Sequence, residues 1–135
     1  MSVQFSTDVR DDRLDQIQTT VGASAVLKIW SGSVPANCAA ADSGTTLATC
    51  SLPSTWMSAA SGGSASKSGT WEDTSADATG TAGHFRIYDS GVTTCHMQGT
   101  VTATGGGGDM TVDSTSFTAG QSFTVVTFTL TDGNA

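Results

Sequence analysis

The sequence contains few basic residues. It has five Lys and Arg against twelve Asp and Glu, which gives a formal net charge of −7. The five cations, Arg10, Arg13, Lys28, Lys67 and Arg86, are scattered along the chain. Binding of nucleic acid requires clustered Lys and Arg that neutralise phosphates. No apolar run approaches the roughly 18–20 residues that span a membrane. We therefore expect neither a nucleic-acid nor a membrane partner.

Cysteine is also sparse, and the opening residues lack a secretion signal. Residues 1–5 carry no basic segment followed by an apolar one, so we expect synthesis and assembly in a host cytoplasm. Three cysteines, Cys38, Cys50 and Cys95, are an odd number, which in a reducing compartment indicates small buried side chains. A Cys38–Cys50 disulfide that forms after release remains an open alternative.

Short polar side chains dominate what is present. Charged residues are only 13% of the 135-residue chain, and Ser and Thr together make up roughly a third. Thr favours strands and Gly favours turns, so the composition predicts β structure in a single domain. A surface of short side chains loses little rotamer entropy when a neighbour packs on it. This composition therefore suits a subunit of a large assembly.

One helix is predicted, over residues 6–22. Leu14, Ile17 and Val21 form an apolar stripe at helical spacing, and Gly22 is a natural C-terminal stop. The stripe is too narrow to stabilise an isolated helix. Docking on the chain's own sheet is slightly favoured over docking on another subunit. Residues 1–22 are thus expected to form an N-terminal arm and helix and residues 23–135 the sandwich of one domain. If the helix docks on another subunit, the sandwich should fold without residues 2–21.

The remaining chain predicts an all-β fold, a β-sandwich or jelly roll with one short N-terminal helix. Apolar alternation between Gly-rich turns is typical of such folds. The predicted strands are residues 24–30, 45–52, 84–88, 92–102, 110–112 and 122–131. The other segments are interpreted as a possible helical turn at 36–42, an anchored loop at 54–60, and polar or Gly-rich loops at 61–69, 73–83 and 104–109.

Strand alternation also predicts which side chains form the core. In residues 84–88, Phe85 and Ile87 should face inward while His84, Arg86 and Tyr88 face outward. In the last strand, Val126, Phe128 and Leu130 should share one face, with Phe123 and Val125 on the other. Because both faces are apolar, this strand is predicted to be central. The expected core consists of Phe85, Ile87, Val126, Phe128 and Leu130.

No motif in the sequence points to catalysis. There is no G-x-S-x-G motif, and the four consecutive glycines at 105–108 lack the Lys-Ser/Thr of a phosphate loop. Cys95 and His96 are adjacent in a strand and point to opposite faces, so they cannot bind one ion with His84 in regular geometry. We therefore expect no enzyme activity, no catalytic or metal-binding residue and no cofactor.

Tryptophan offers one alternative function. Trp30, Trp56 and Trp71 would form a stacking platform for sugars if they were exposed, which would make the chain a carbohydrate-binding module. In a chain with 7% aromatic residues they are more typical of packing anchors.

Several stretches resemble a family of small proteins encoded among the virion structural genes of tailed phages and prophages. These stretches cover residues 9–15, 22–24, 35–42, 69–88 and 130–133, and the longest reads GTWEDTSADATGTAGHFRIY. The resemblance implies a virion location. It carries no catalytic motif and does not separate the capsid from the tail. Small jelly-roll cement proteins of phage capsids are the nearest architectural analogy.

The leading hypothesis is a capsid decoration or cement protein that stabilises the shell by non-covalent contacts. The alternatives are a tail, connector or fibre-associated virion protein and the carbohydrate-binding module. The expected partners are the major capsid protein, other virion proteins and further copies of the chain. We expect the contacts to involve the helix and the loops at 61–67 and 74–83. The residues predicted to interact are Arg10, Arg13, Leu14, Ile17, Trp56 and Trp71.

Overall fold

The computed structural model describes residues 3–133, which form one helix followed by nine strands. The protein is mostly β, with 40% strand and 11% helix, so the predicted fold class with one N-terminal helix is confirmed. The elements are α1 (Thr7–Val21), β1 (Val26–Ser31), β2 (Thr46–Ser51), β3 (Ser64–Ser66), β4 (Glu72–Asp73), β5 (Gly80–Tyr88), β6 (Cys95–Ala103), β7 (Met110–Val112), β8 (Ser116–Phe117) and β9 (Phe123–Thr131).

The strands form one curled mixed sheet. Its order is β2-β1-β5-β6-β7-β9-β3, with β4 paired to β9 and β8 paired to β5. All pairs in this order are antiparallel except β6 and β7. Although β6 and β7 separate β5 from β9, the Phe85 and Phe128 rings meet edge to face with centroids 5.4 Å apart. The sheet therefore curls around a core that lies between its two halves.

The parallel pairing of β6 with β7 depends on the glycines between them. Parallel neighbours usually need a crossover of a dozen or more residues, but here residues 104–109 suffice. Gly105 and Gly107 have φ of 86° and 80°, and a Cβ on Gly106 would lie 2.6 Å from the Cβ of Thr102. Glycine is thus required where the loop folds back against β6.

A β-bulge changes the predicted faces of β9. Val112 and Thr111 are consecutive in β7, but they pair with Val125 and Thr127 of β9, so Val126 is an extra residue. Its side chain is 42% exposed, whereas Val125 and Phe128 are both buried. The prediction that Val126 belongs to the core is therefore wrong, because the bulge puts Val125 and Phe128 on the same inward face. The other predicted core residues, Phe85, Ile87, Phe128 and partly buried Leu130, pack as expected.

The predicted helix is confirmed, and it docks on the chain's own sheet. Ser6 is the N-cap, its side chain accepting from the main-chain N–H of Val9, and Gly22 ends the helix with φ of 94°. Leu14 and Val21 are buried in the core cluster. The hypothesis that residues 2–21 form a separable arm is not supported, since α1 covers this core; residue 2 itself lies outside the described range.

Two segments predicted as polar loops contribute to the sheet. Residues 61–69 include β3, which pairs with β9. Residues 73–77 lie along the outer edge of β2, where Asp73 accepts from the main-chain N of Thr49 at 2.9 Å and Asp77 N donates to Leu47 O at 2.7 Å. The segment thus covers an edge strand that would otherwise present unpaired main-chain groups. Residues 36–42 form turns instead of the predicted helical turn.

Candidate functional site

The predicted interaction residues Arg10 and Arg13 both contact Asp132, near the end of the described chain. Arg10 Nη1 donates to the main-chain oxygen of Asp132 at 3.2 Å, and Arg13 Nε lies 3.1 Å from its carboxylate. The Arg13 side chain is nevertheless 54% exposed, so part of its guanidinium remains accessible. These arginines attach α1 to the end of β9, and their contact with a partner stays a prediction.

Leu14 and Ile17 line surface cavities beside α1. One cavity of about 390 Å³ is lined by Arg13, Leu14, Ile17, Thr131 and Asp132. A second, of about 210 Å³, shares Arg13 and Ile17 and reaches His96 on β6. Leu14 itself is 7% exposed, whereas Ile17 is half-buried. The structure therefore brings Arg13, Leu14 and Ile17 together in one surface region between α1, β6 and β9.

Polar side chains of α1 also hold the helix in place, and the sequence interpretation missed them. Asp11, Asp15 and Gln18 accept hydrogen bonds of 2.7, 2.8 and 2.7 Å from main-chain N–H groups. The donors belong to Gly63, Ala60 and Met57 respectively. The acceptors are spaced i, i+4, i+7, which places them on one helix face. The i, i+4, i+7 spacing of these polar residues is visible in the sequence. Residues 57–63, which donate to them, show no sequence pattern that predicts a partner for the helix.

Trp56 and Trp71 are not interaction residues on an accessible surface. Both are 0% exposed, and their rings pack 6.0 Å apart at the centre of the core. Their indole N–H groups donate to the main-chain oxygens of Gly22 and Ser68. The prediction that they contact a partner is therefore not supported, because a partner cannot reach them. Trp30 is 8% exposed, so none of the three forms an open stacking platform for a sugar.

A covering loop, residues 32–44, lies on the outer face of β5 and buries polar residues that alternation placed in solvent. His84 and Arg86 are 0% and 2% exposed, and Tyr88 is 4% exposed. The Arg86 guanidinium donates to Asn37 O, Ala40 O, Asp42 Oδ1 and Gln98 Oε1. The prediction that these side chains point outward from the sheet is correct. Their burial was not predicted, because strand alternation shows which face a side chain is on but not whether a loop covers that face.

Asp42 joins the loop to two strand residues. Its carboxylate accepts from Arg86 Nη1 at 2.7 Å and from the Tyr88 hydroxyl at 2.6 Å. Partial burial acts to raise the pKa of Asp42, but the hydrogen bonds from Tyr88 and Arg86 and the charge of Arg86 outweigh it and lower that pKa. Burial and the Asp42 carboxylate raise the pKa of Tyr88. The Asp42 carboxylate thus holds the covering loop through two donors, the charged Arg86 guanidinium and the neutral Tyr88 hydroxyl.

The cysteines are all free, and the one that lies beside Cys38 is Cys95. Cys50 is fully buried on β2, and burial raises the pKa of its thiol. Burial and the neighbouring thiol of Cys38 raise the pKa of Cys95 to about 11. At neutral pH Cys50 and Cys95 are therefore thiols, which are weak nucleophiles. The Cys38–Cys50 alternative is not supported, since Cys38 lies on the covering loop outside the sheet and Cys50 faces the core.

The two histidines lie apart. His84 pairs with Thr100 across the β5–β6 hairpin, stacks on Trp30, and has its Nδ1 3.0 Å from Gly32 O. His96 lies near the start of β6 and lines the cavity beside α1. Within residues 3–133 no group of three or more His, Cys, Asp or Glu side chains is arranged to hold a metal ion.

The outer face of β6, β7, β9 and β3 carries short hydroxyl side chains, and we call this surface the hydroxyl face. The Ser66 and Thr129 hydroxyls lie 3.1 Å apart, and Thr111 hydrogen-bonds Thr127. On each strand these residues alternate with buried ones such as Ala65. The hydroxyl face comprises Ser64, Ser66, Thr100, Thr102, Thr111, Thr127, Thr129 and Thr131.

No family model, curated protein or solved structure shows a significant match to this chain. The described residues include no helix with both the length and the apolarity that crossing a membrane requires.

Proposed function

We propose that this chain is a structural protein of a tailed-phage virion that decorates the capsid and stabilises the shell by non-covalent contacts. The resemblance of several stretches to virion structural proteins supports the virion location. The hydroxyl face is the observation that carries the contact role. It spans β6, β7, β9 and β3, and Ser and Thr side chains make up most of its outward positions, beside the exposed Val126 of the bulge.

Such a face suits a repeated contact with a large partner. Ser and Thr lose little rotamer entropy on burial, whereas Lys and Glu lose much more. Thr129 and Thr127 are already oriented by hydroxyl contacts with Ser66 and Thr111. Binding would therefore order few additional side chains. The remaining hydrogen-bonding capacity of the hydroxyl groups can donate to or accept from main-chain groups of a capsid subunit.

The test is incorporation into particles of the phage or prophage whose genome encodes the chain. Thr127→Lys together with Thr129→Lys should abolish incorporation, because two long cations must then be desolvated at the contact. Thr55→Lys is the matched control, since Thr55 is exposed on a loop between β2 and β3. Folding of each variant is checked by its thermal transition.

Quantitative mass spectrometry of purified virions separates the possible locations. Hundreds of copies per particle support capsid decoration, whereas tens or fewer indicate a tail, connector or fibre position. Absence of the chain from virions, or normal incorporation of the folded double variant, would contradict the proposal. Binding to a glycan array by the free protein would instead favour the carbohydrate-binding alternative.

A further inference from the structure

Two cysteines that are distant in the sequence, Cys38 and Cys95, are neighbours in the structure. Cys38 lies on the covering loop, and Cys95 is the first residue of β6. The Cys38 thiol lies close enough to Cys95 to act as its hydrogen-bond partner. Both side chains are partly exposed, whereas the third cysteine, Cys50, is buried in the core. A small reagent in solution can therefore reach the first two thiols but not the third.

A β-bulge places Cys95 on the outer face of the sheet. The pairing of β5 with β6 shifts between Ile87 and Tyr88, and Tyr88 pairs directly with Cys95. His96 is thereby an extra residue in β6, and it lines the cavity beside α1. Residues that pair directly across two strands point to the same face, and Tyr88 points outward to the covering loop. Without the bulge, Cys95 would point away from that loop.

Main-chain contacts on both sides of Cys38 hold the covering loop over this face. Arg86 lies on the outer face of β5, and its guanidinium is buried beneath the loop. It donates to Asn37 O at 3.1 Å and to Ala40 O at 3.0 Å. These two carbonyls flank Cys38 in the chain. The position of Cys38 beside β6 is thus set by contacts that do not involve its own thiol.

The surroundings of Cys95 suit a structural disulfide better than a catalytic one. Burial and the neighbouring Cys38 thiol raise the pKa of Cys95 to about 11, although the charge of Arg86 acts in the opposite direction. A disulfide is easily reduced when the protein stabilises a thiolate of its reduced form. The raised pKa means that the Cys95 thiolate is destabilised instead. A disulfide that includes Cys95 should therefore resist reduction once it has formed.

We propose that Cys38 and Cys95 form a disulfide bond in an oxidising medium, and that this bond fixes the covering loop to β6. In a reducing compartment both thiols persist, and polar contacts such as those of Arg86 hold the loop. In an oxidising medium a covalent bond is added to these contacts. The inference does not rest on the virion location, so its failure would leave the incorporation test unaffected.

A small-molecule disulfide such as oxidised glutathione serves as the oxidant. The thiolate of one cysteine attacks a sulfur of the reagent and expels a reagent thiolate, which gives a mixed disulfide. The thiolate of the other cysteine then attacks the protein sulfur of the mixed disulfide and expels the second reagent thiolate. Cys38 and Cys95 together lose two protons and two electrons, and the reagent is reduced to two thiols. The rate should rise with pH, because the thiolate is the attacking species.

Peptide mapping after incubation with oxidised glutathione tests the connectivity. Remaining thiols are blocked with N-ethylmaleimide, and the denatured protein is digested with trypsin, which cleaves after Lys and Arg. Cys38 and Cys50 then lie in peptide 29–67, and Cys95 lies in peptide 87–135. We expect these two peptides to be joined by a reducible bond, with Cys50 alone carrying the blocking group. A bond within peptide 29–67 would contradict the proposal.

Single substitutions assign the bond to its two cysteines. Cys50→Ala is the matched control, because it leaves only the proposed pair, and it should give the joined peptides as the wild type does. Cys38→Ser and Cys95→Ser should each abolish them. Joined peptides in Cys38→Ser would assign the bond to Cys50 and overturn the proposal. Three free thiols in the treated wild type, glutathione adducts without an internal bond, or a disulfide-linked dimer would overturn it as well.

Thermal unfolding and amide hydrogen exchange measure what the bond does to the fold. Because it would close the long stretch of residues 38–95, oxidation should raise the Tm of the wild type and of Cys50→Ala by on the order of 10 °C. Dithiothreitol should reverse the increase, and Cys38→Ser should not show it. Exchange of the amides in residues 37–42 should slow on oxidation. A Tm that oxidation leaves unchanged or lowers, or unchanged exchange in residues 37–42, would show that the bond does not fix the loop.

Discussion

Replacing Arg86 with alanine should release the covering loop from the outer face of β5. The guanidinium is 2% exposed and donates to two main-chain carbonyls of the loop, to the Gln98 side chain and to Asp42. Alanine leaves the two carbonyls and the Gln98 oxygen without this donor at a site from which water is largely excluded. The loop must then either stay in place with unsatisfied acceptors or open to water.

The expected loss is about 3 kcal/mol of the free energy of unfolding. Removing one partner from a buried charged network costs about 3–5 kcal/mol. The lower end applies here, because the Asp42 side chain is 42% exposed and water can solvate its carboxylate after the change. For a domain of this size the loss corresponds to a decrease in Tm on the order of 10 °C. Arg86→Lys should recover only part of it, since an ammonium cannot reproduce the planar set of donors.

Denaturant unfolding and tryptophan fluorescence provide the assay. Trp30 is 8% exposed and stacks on His84, whose Nδ1 contacts Gly32 O, so opening of the covering loop should shift part of the emission to longer wavelength before global unfolding. Arg13→Ala is the control, because its ion pair is 54% exposed on the arginine side and contributes at most about 1 kcal/mol. If Arg86→Ala changes neither the emission nor the unfolding free energy by more than Arg13→Ala does, the cluster does not hold the loop.

Further predictions concern the core, pH and the helix. Phe128→Ala should cost about 3–5 kcal/mol by calorimetry, and a Tm within a degree or two of wild type would contradict its core position. The pKa of Asp42 is lower in the folded state than in the unfolded state, where it is about 4, so the ionised carboxylate stabilises the fold above that pH. This stabilisation is lost as pH falls through the lower folded pKa, so Asp42→Asn should flatten the acid side of the plot of unfolding free energy against pH. Parallel plots for the two proteins would refute this. Asp15→Ala should cost about 1 kcal/mol more than Asp12→Ala in urea, because it leaves the Ala60 N–H without its acceptor; equal losses would exclude this role. Deleting residues 2–21 should abolish the cooperative transition in circular dichroism, and a normal transition would show that α1 is dispensable.

The elements that the sequence predicted well are those with local signals. Ser6 caps the start of the helix and Gly22 ends it. Both ends are predicted by the residue type at these positions and by the apolar stripe between them. The turn at 89–91 and the alternation in 84–88 predict the β5–β6 hairpin, which the structure confirms. In each case the contacts that define the element lie within about a dozen residues, so the pattern and the structure coincide.

The features that the sequence could not predict depend on distant main-chain contacts. The covering loop reaches Arg86 across more than forty residues, and the residues that it uses are mostly carbonyl oxygens, which every residue type has. β3 is a Ser-Ala-Ser segment that pairs with β9, and its composition is that of a flexible loop. Side-chain patterns carry no record of such pairing, because the hydrogen bonds belong to the backbone.

The bulge in β9 gives a direct test of the register that the structure assigns against the one that alternation predicts. Alternation places Val126 on the same inward face as Phe128, and it places Val125 on the opposite face. In the structure Val125 is 1% exposed and Val126 is 42% exposed. Val126→Lys should therefore change the unfolding free energy by no more than about 0.5 kcal/mol, as expected for a surface substitution. Val125→Lys should prevent stable folding, because an ammonium in the core has no described carboxylate partner and must be desolvated. Paired urea titrations of the two variants decide the register, and a severe loss in Val126→Lys with a mild one in Val125→Lys would show that β9 pairs without the bulge.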